Sequence, residues 1–397
     1  MQIIGLGMVV MTPIIGNLSD KYGRKSLLTL PLTLNIIPLV IIAYDRTTNF
    51  FYAYCVMRTL TAMVCDGGAN CLALAYVITM QADHISEQGR ASAFGIMSGV
   101  LSAAWICGTF AARFLSTDST FQVAALTSMT AAVYMRVFLE ESLPVEDGLR
   151  QPILKSGQDV EKSGEAPKRT QVSKKFPTLK DIFCLLKSSK TFSQAATVSF
   201  FNSLAEGGFQ ASLLYFLKAR FHFNKDQFAD LMLIVGVAGA ISQLLFLPLL
   251  VPIVGEEKLL SIGLFVACIH TFVYSISWAA WVPYAMSVLT LFSIFAYPTV
   301  RSIASKQVGP GEQGKALGCL SGISSFATII SPFIFSPLTA LFLSERAPFD
   351  FPGFSIMCVA FAMTIAFIQS TMIKNVPRVS SSITNNNDDD DDDNVED

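Results

Sequence analysis

Long runs of apolar residues, separated by short polar stretches, make up most of the chain from its first residues to the end of its last apolar segment. A transmembrane helix needs about 20 apolar residues to cross the hydrocarbon core of a bilayer. Eleven stretches approach or exceed that length, which predicts eleven membrane-spanning helices. They are roughly 1–16, 27–44, 50–78, 91–113, 121–139, 191–217, 227–251, 259–279, 281–304, 316–343 and 353–373.

Two polar regions divide this pattern into parts. The stretch 143–190 is rich in Lys, Glu, Ser and Gly and cannot bury a core, which favours a largely disordered linker. Residues 377–397 are low in complexity and carry a run of aspartates, which predicts a solvated acidic tail. The predicted organisation is therefore a five-span bundle at 1–142, the linker at 143–190, a six-span bundle at 191–376 and the tail at 377–397.

Composition indicates that lipid is the solvent for much of the chain. Of its 397 residues, 52% are hydrophobic and only 15% are charged, and the mean hydropathy is +0.51. A soluble domain carries about 25% charged residues. The net charge of −2, without a basic face, argues against nucleic acid as a partner. The eight cysteines form no CxxC pair and the three histidines are far apart, so neither a disulfide framework nor a metal site is predicted.

The distribution of lysine and arginine predicts the orientation. Loops that contain an excess of these residues face the cytoplasm. Alternate loops divide into a basic set, which includes the linker, and a set that is poorer in basic residues, which places the linker and the C-terminus in the cytoplasm. The first set contains Lys21, Arg24, Lys25, Arg90, Lys258, Arg301, Lys306, Lys315, Lys374 and Arg378; the second contains Arg46, Arg113, Lys218, Arg220, Lys225 and Arg346.

An internal repeat suggests two related halves. EQGRA at 87–91 precedes the fourth predicted span, and EQGKA at 312–316 precedes the tenth. Two parallel repeats joined by a linker are a transporter architecture. Because Met1 lies within apolar sequence and the orientation places it outside, we expect the first of two six-helix halves to be short by one helix. The alternative is a chain with a short first helix.

The stretch GNLSDKYGRKS at 16–26 concentrates charge between the first two spans. It reads G-x-x-x-D-K-x-G-R-K, and this pattern resembles the cytoplasmic loop between helices two and three of the major facilitator superfamily. The surrounding sequences, SDKYGRKSLLTLPL and then RTLTAMVCDGG, are similar to those of the tetracycline-resistance-like branch and of plant hippocampus abundant transcript-like proteins. The residues that carry the resemblance are Gly16, Asp20, Lys21, Gly23, Arg24 and Lys25.

The resemblance implies that this cluster is a conformational latch that holds the two halves together on the cytoplasmic side. Arg24 and Lys25 would contact acidic groups of a neighbouring loop or anionic lipid head groups, and Asp83 or Glu87 in the next cytoplasmic loop is the expected partner. Asp20 is also suited to a helix N-terminus, where the helix dipole favours an anion. The alternative is that the basic residues only set the topology.

Polar residues within the third predicted span form the first part of a candidate substrate and proton site. Arg58 matches the arginine of the superfamily's fourth-helix pattern R-x-x-x-G, although Ala62 stands where that pattern has glycine. Asp66 and Asn70 are four residues apart and share one helix face, about 40° from each other. Arg58 is about 80° from Asp66, so a direct ion pair is possible but not required.

The sixth predicted span contributes the second part of this candidate site. Asn202, Glu206 and Gln210 recur every four residues and form one polar stripe on a helix. Gly207 and Gly208 make the helix thin beside Glu206, which permits a close neighbour or a local bend.

The resemblance places these two helices, the fourth and seventh of the superfamily, on the central cavity. Ionisable residues in membrane spans usually face a cavity, and burial favours the neutral form of a carboxylate, which suits a proton carrier. We therefore take Asp66 and Glu206 as a hypothesis for proton coupling or for binding a substrate amine. Structural hydrogen bonding between helices is the alternative.

One departure concerns the direction of transport. Antiporters of this superfamily often carry a Gly-Pro-Gly pattern in the fifth helix, whereas here Gly99 and Gly108 remain without a proline between them. The chain contains no nucleotide-binding loop, so an ion gradient is the expected energy source.

Together these features predict an all-α polytopic membrane protein with a major facilitator fold of about 11 spans. The predicted function is secondary active transport of a small organic solute by alternating access with proton coupling, by a monomer surrounded by lipid and without a cofactor. An enzyme is not expected, because no nucleophile–base pair, metal cluster or cofactor loop is present in the sequence. The rival interpretation is a transport-inactive membrane sensor or scaffold. The substrate stays open among sugars, drugs, amino acids and organic anions.

Overall fold

The computed structural model describes residues 2–45, 47–82, 89–139, 186, 189–309 and 312–373. Over these residues the chain forms fourteen α-helices joined by short turns. They are α1 (Gln2–Tyr22), α2 (Arg24–Leu34), α3 (Ile36–Tyr44), α4 (Thr48–Ala82), α5 (Gly89–Phe114), α6 (Thr117–Phe138), α7 (Lys190–Phe221), α8 (Lys225–Ile241), α9 (Leu247–Val254), α10 (Glu256–Ser275), α11 (Trp281–Ser293), α12 (Ala296–Ser305), α13 (Gln313–Phe342) and α14 (Phe354–Thr371).

Each of the eleven predicted apolar segments contains helix. Three spans are built from two helices each: α2 with α3, α8 with α9, and α11 with α12. The α8–α9 span contains a π-helical turn at Ser242–Phe246, close to Pro248, which removes a backbone donor. Among the described residues, nine helical spans are long and apolar enough to cross a membrane. The helices α6 and α7 are also long enough, at 22 and 32 residues, but are more polar.

Two groups of helices join the halves of the bundle. Helix α1 of the first half packs along α13 of the second, and α4 also contacts α13. Helix α5 packs on α8, α9 and α12 of the second half. The largest hydrophobic core lies within the second half, between α7, α10, α12, α13 and α14. The boundary between the halves is therefore formed by α1, α4 and α5 on one side and by α8, α9, α12 and α13 on the other.

The two halves are not equally filled. In the second half, α7 packs against both α13 and α14. In the first half, no described helix occupies the matching position against α5 and α6, and α5 makes most of its contacts with the other half. Apolar side chains such as Trp105 and Phe110 of α5 and Leu126 and Val133 of α6 are exposed.

Several predicted features fall outside the described residues. They include Asp83, Glu87, the tail at 377–397 and nearly all of the linker at 143–190.

Candidate functional site

The polar stretch at 16–26, predicted from the sequence to be a loop between two spans, is the junction of two helices. Helix α1 continues through Tyr22 and α2 begins at Arg24, so that only Gly23 lies between them. Gly23 has φ 93° and ψ 141°, a backbone conformation that residues with a Cβ atom rarely adopt. The turn therefore depends on glycine, and it places Asp20 on the last turn of one helix and Arg24 on the first turn of the next.

The carboxylate of Asp20 caps a helix of the opposite half. Its Oδ1 accepts a hydrogen bond from the backbone N–H of Gly314 at 3.1 Å, and its Oδ2 accepts one from Lys315 at 2.9 Å. Both amides lie at the start of α13, where backbone donors lack partners within the helix and the helix dipole is positive. The partner of Asp20 is thus the N-terminus of α13. Asp83 and Glu87, which the sequence suggested as partners of Arg24 and Lys25, lie outside the described residues.

A fully buried arginine holds this carboxylate in place. Arg24 donates from Nη2 to Asp20 Oδ1 at 2.9 Å and from Nη1 to the backbone carbonyl of Ala75 in α4 at 2.5 Å. Lys21 is exposed and Lys25 is partly buried on the same turn. Helices α1, α2, α4 and α13 therefore meet at one charged cluster, which we call the clamp: Asp20, Arg24, the Ala75 carbonyl and the amides of Gly314 and Lys315.

Close contact between α1 and α13 brings the clamp together. A Cβ atom on Gly16 would collide with the backbone carbonyl of Gly314, and one on Gly314 would collide with that of Gly16. One turn further along α13, Gly318 packs on Thr12 and Pro13 of α1. Because only glycine leaves room for two backbones this close, these positions set the crossing that lets Asp20 reach the start of α13.

The structure joins Arg58 to Asp66 in the first half. Two hydrogen bonds of 3.1 and 3.2 Å link the guanidinium to the two carboxylate oxygens, across two turns of α4. Arg58 also donates to Asn35 Oδ1 at 3.3 Å, where α2 and α3 meet. The pair is about half-buried, with 41% of the Arg58 side chain and 33% of the Asp66 side chain exposed. Asn70 lies one turn beyond Asp66 and is exposed.

Glu206 lies on the opposite half, on a face of α7 that is not covered by α13. Gly207 and Gly208 pack against Ser331 and Phe335 of α13, and this contact turns the stripe of Asn202, Glu206 and Gln210 away from α13. Glu206 and Gln210 are exposed and Asn202 is partly buried. Within the described part of the chain, no hydrogen bond or ion pair joins Glu206 to Asp66 or to any other side chain.

Another buried ion pair, which the sequence did not predict, joins Glu256 and Lys306 within α7–α14. Glu256, at the start of α10, is 4% exposed. Its Oε1 lies 2.9 Å from Lys306 Nζ, and its Oε2 accepts a hydrogen bond of 3.0 Å from Ser302 of α12. The sequence contains a signal for a special role of Glu256, although not for its partner: a charged residue directly follows a glycine just before a predicted span, as Arg24 does.

The backbone repeats at these two positions while the charge is reversed. Gly255, which precedes Glu256, has φ 89° and ψ 153°, close to the values of Gly23. Gly23 is followed by a buried arginine that reaches α4, and Gly255 is followed by a buried glutamate that reaches α12. Both halves therefore contain a glycine with positive φ followed by a buried charged residue at the start of a helix, and the two charges have opposite signs.

No group of three or more His, Cys, Asp or Glu residues that could hold a metal ion occurs among the residues that the structure describes. Seven cysteines in these regions are free thiols.

Comparisons with known proteins were made with the sequence and with the fold. The profile of the Major Facilitator Superfamily matches residues 2–332. Human hippocampus abundant transcript-like protein 1 is 24% identical over 353 residues, which are 87% of this chain and 64% of that protein. The tetracycline resistance protein, class C, of Escherichia coli is 22% identical over 343 residues, covering 85% of this chain and 78% of the relative.

The fold is similar to that of the human organic anion transporter MFSD10 (TETRAN), known from a crystal structure. The TM-score is 0.73 at 18% sequence identity, and the alignment covers 93% of this chain and 83% of the other. At this identity the likeness concerns the fold alone.

Proposed function

We propose that this chain, which belongs to the major facilitator superfamily, is a secondary active carrier of a small organic solute. The chain is an integral, multi-pass membrane protein. In alternating access, two halves rock about a site near the middle of the membrane, so contacts between them close at one end while they open at the other. The observation that carries the proposal is the contact of Asp20 with the start of α13.

The clamp has the strength that a reversible contact needs. Hydrogen bonds to a charged group contribute about 1.5–3 kcal/mol each, and two of them join Asp20 to α13. This is enough to favour the closed state, and an energy gain elsewhere in the cycle can still break it. Because Arg24 belongs to the same half as Asp20, the carboxylate keeps its ion pair when α13 moves away. We therefore assign the clamp as the latch of the transport cycle.

Proton coupling is assigned to Glu206, with the Arg58–Asp66 pair as its counterpart in the first half. An ionised carboxylate within a membrane span costs a few kcal/mol unless it is paired. Asp66 is paired with Arg58, whereas Glu206 has no ion-pair partner in the described regions. Protonation therefore lowers the free energy of Glu206 in the membrane more than that of Asp66, whose charge is already paired. The Arg58–Asp66 pair remains available to a polar solute that approaches α4.

The names of similar proteins suggest which solutes to try first. One relative is a tetracycline resistance protein and the similar fold is that of an organic anion transporter. The chain spans 64% of the length of the human relative, so the solute has to be found by measurement. Radiolabelled tetracycline, benzoate, glucose and leucine represent the four classes that the sequence leaves open.

The experiment is a flux assay in proteoliposomes that contain the full chain. A pH gradient is imposed across the vesicle membrane, and uptake of each labelled solute is compared with uptake after the gradient is collapsed by a protonophore. We expect at least one solute to accumulate only while the gradient is present. Correctly inserted protein that moves none of them in either condition contradicts the proposal.

A second candidate function is a transport-inactive membrane sensor or scaffold. The uncovered apolar faces of α5 and α6 favour it, because a cavity wall that is open to lipid holds a polar solute poorly. This alternative would be supported by a folded chain that transports none of the four solutes and whose unfolding temperature is the same in the presence of each of them.

A further inference from the structure

Arg301 is a buried cation whose observed partners are all neutral. It lies in α12 and is 5% exposed. One nitrogen, Nη1, donates to the hydroxyl of Tyr297, and the other, Nη2, donates to Ser321 Oγ at 3.2 Å. The guanidinium carbon also lies 3.9 Å from the centre of the Tyr297 ring. These contacts orient the guanidinium but bring no negative charge to it.

The other buried charged side chains among the described residues, Arg24 and Glu256, both lie in ion pairs, as does the half-buried Arg58. Arg24 has Asp20 at 2.9 Å, Arg58 has Asp66 at 3.1 Å, and Glu256 has Lys306 at 2.9 Å. None of the ion pairs found among the described residues includes Arg301. A buried charge without a counter-ion is strongly unfavourable, and such residues in membrane spans mark the sites of polar solutes.

Arg301 and Ser321 lie on α12 and α13, two helices of the second half that form the boundary with the first half. Ser321 lies one turn along α13 from Leu317, on the same face of that helix. Leu317 is buried against Cys71, Leu74 and Ala75 of α4 and against Phe94 of α5. Along α13, Leu317 therefore lies between Ser321 and the start of the helix, where the clamp is.

Tyr297 is the exposed member of this group of residues. This residue is 38% exposed, although its hydroxyl contacts the buried Arg301. A solute that reaches the Tyr297 ring is therefore one side chain away from the guanidinium.

We propose that Arg301, Tyr297 and Ser321 form a binding site for the carboxylate group of a small organic anion. A guanidinium has five N–H donors in a planar fork that matches a carboxylate, and two of the Arg301 donors are directed to hydroxyl oxygens. Both hydroxyl groups rotate freely enough to donate to the same carboxylate. The inference rests on the proposed carrier function, because it names the class of the solute.

The first test measures binding to the purified full chain in lipid nanodiscs, without transport. Labelled benzoate is displaced by unlabelled benzoate, by the neutral benzamide or by the cationic benzylamine. We expect benzamide and benzylamine to compete roughly tenfold less well or worse, because they lack the charge that a guanidinium recognises. Arg301→Gln should abolish benzoate binding, and Arg301→Lys, which keeps the charge but loses the fork, should weaken it.

Arg220→Gln is the matched control, since Arg220 is exposed at the far end of α7. It should leave benzoate binding unchanged. Wild-type protein that binds benzamide as well as benzoate, or that binds neither, overturns the site, and so does unchanged binding in Arg301→Gln.

The second test needs no ligand and stays informative if Arg301→Gln fails to fold. Ser321→Asp places a carboxylate beside Arg301, and Ser321→Asn places an amide of the same shape there. We expect Ser321→Asp to unfold at a higher temperature than Ser321→Asn and to lose benzoate binding, because its own carboxylate fills the site. Equal unfolding temperatures in the two variants overturn the proposal.

The two proposals fail in different ways. If the chain transports a neutral solute but shows neither benzoate binding through Arg301 nor a difference in unfolding temperature between the two Ser321 variants, the carboxylate site alone is refuted. A chain that binds benzoate through Arg301 but moves no solute refutes the carrier function and leaves the site in place.

Discussion

The carboxylate of Asp20 lies 2.9 Å from the backbone nitrogen of Lys315, 295 residues away in the chain. This contact joins the last turn of α1 to the first turn of α13, at one end of the boundary between the two halves. It combines a hydrogen bond, an ion pair with Arg24 and the positive end of a helix dipole. The stability of the closed state at this end of the bundle should therefore respond strongly to changes at Asp20.

Replacing Asp20 with Asn should lower both stability and turnover. The variant removes the charge that balances the buried Arg24, and loss of one partner of a buried ion pair costs about 3–5 kcal/mol. We expect a lower unfolding temperature and at least several-fold slower pH-driven flux, while the protein still inserts into the membrane. Asp350→Asn, in an exposed loop, is the control and should behave like wild type. Normal turnover in Asp20→Asn would rule out the latch.

A methyl group at the crossing of α1 and α13 should separate the two halves. Gly16→Ala places a Cβ atom against the Gly314 carbonyl, and overpacking of this kind costs about 1–3 kcal/mol. The expected result is a lower unfolding temperature together with slower flux. Gly108→Ala tests the same substitution where a Cβ atom has nothing within 4 Å, and it should change neither quantity. Equal behaviour of the two variants would contradict the role given to the crossing.

The pair of Arg58 and Asp66 should show coupling in a double-mutant cycle. Arg58→Gln and Asp66→Asn each leave the other group without its ion pair, so the double variant should lose less stability than the sum of the two single changes. For a pair this exposed we expect a coupling energy of about 1 kcal/mol or less. The measurement is thermal or chemical unfolding of all four proteins. Strict additivity would show that the bonds between the two side chains contribute nothing.

Neutralising Glu206 should uncouple transport from the proton gradient. Wild-type uptake should rise as the pH falls on the side from which protons enter, whereas Glu206→Gln should show no dependence on pH. Exchange of labelled for unlabelled solute, which needs no net proton movement, should persist in the variant. Glu345→Gln changes an exposed loop residue and serves as the control. A pH dependence that survives in Glu206→Gln would remove Glu206 from the coupling mechanism.

The buried pair of Glu256 and Lys306 should depend on both partners. Lys306→Met leaves the carboxylate of Glu256 buried without its counter-ion, which should destabilise the protein by about 3 kcal/mol or more. Adding Glu256→Gln to this variant removes the unpaired charge and should restore part of the loss. Glu257→Gln, at the neighbouring and less buried position, should have little effect. If the double variant is less stable than Lys306→Met, the account of the pair is wrong.

Much of the fold could be predicted from the sequence because lipid makes the requirement local. A segment that crosses a bilayer has to satisfy its own backbone hydrogen bonds and present apolar side chains, so eleven apolar segments mean helices. The ends of helices were less predictable. The charges at 16–26 suggested a loop, whereas a single glycine with positive φ is enough to turn the chain at Gly23.

The candidate site could be predicted only in its parts. The spacing of Asp66 and Asn70, or of Glu206 and Gln210, places each pair on one face of a helix whatever the tertiary structure is. The angle of about 80° between Arg58 and Asp66 left their pairing open, and the rotamers of both side chains in the folded protein close the gap. The pairing of Glu256 with Lys306 could not be predicted, because 50 residues separate the two in the sequence.

The apolar pattern of the sequence was enough to predict which segments are helical and which polar residues lie within them. These properties depend on neighbouring residues and on the solvent around each segment. That Asp20 meets the start of α13 and that Arg301 is buried without a carboxylate depends on the packing of the folded chain. Such contacts require distances to within a few tenths of an ångström between distant segments, and these distances depend on how closely the helices cross, as Gly16 and Gly314 do here.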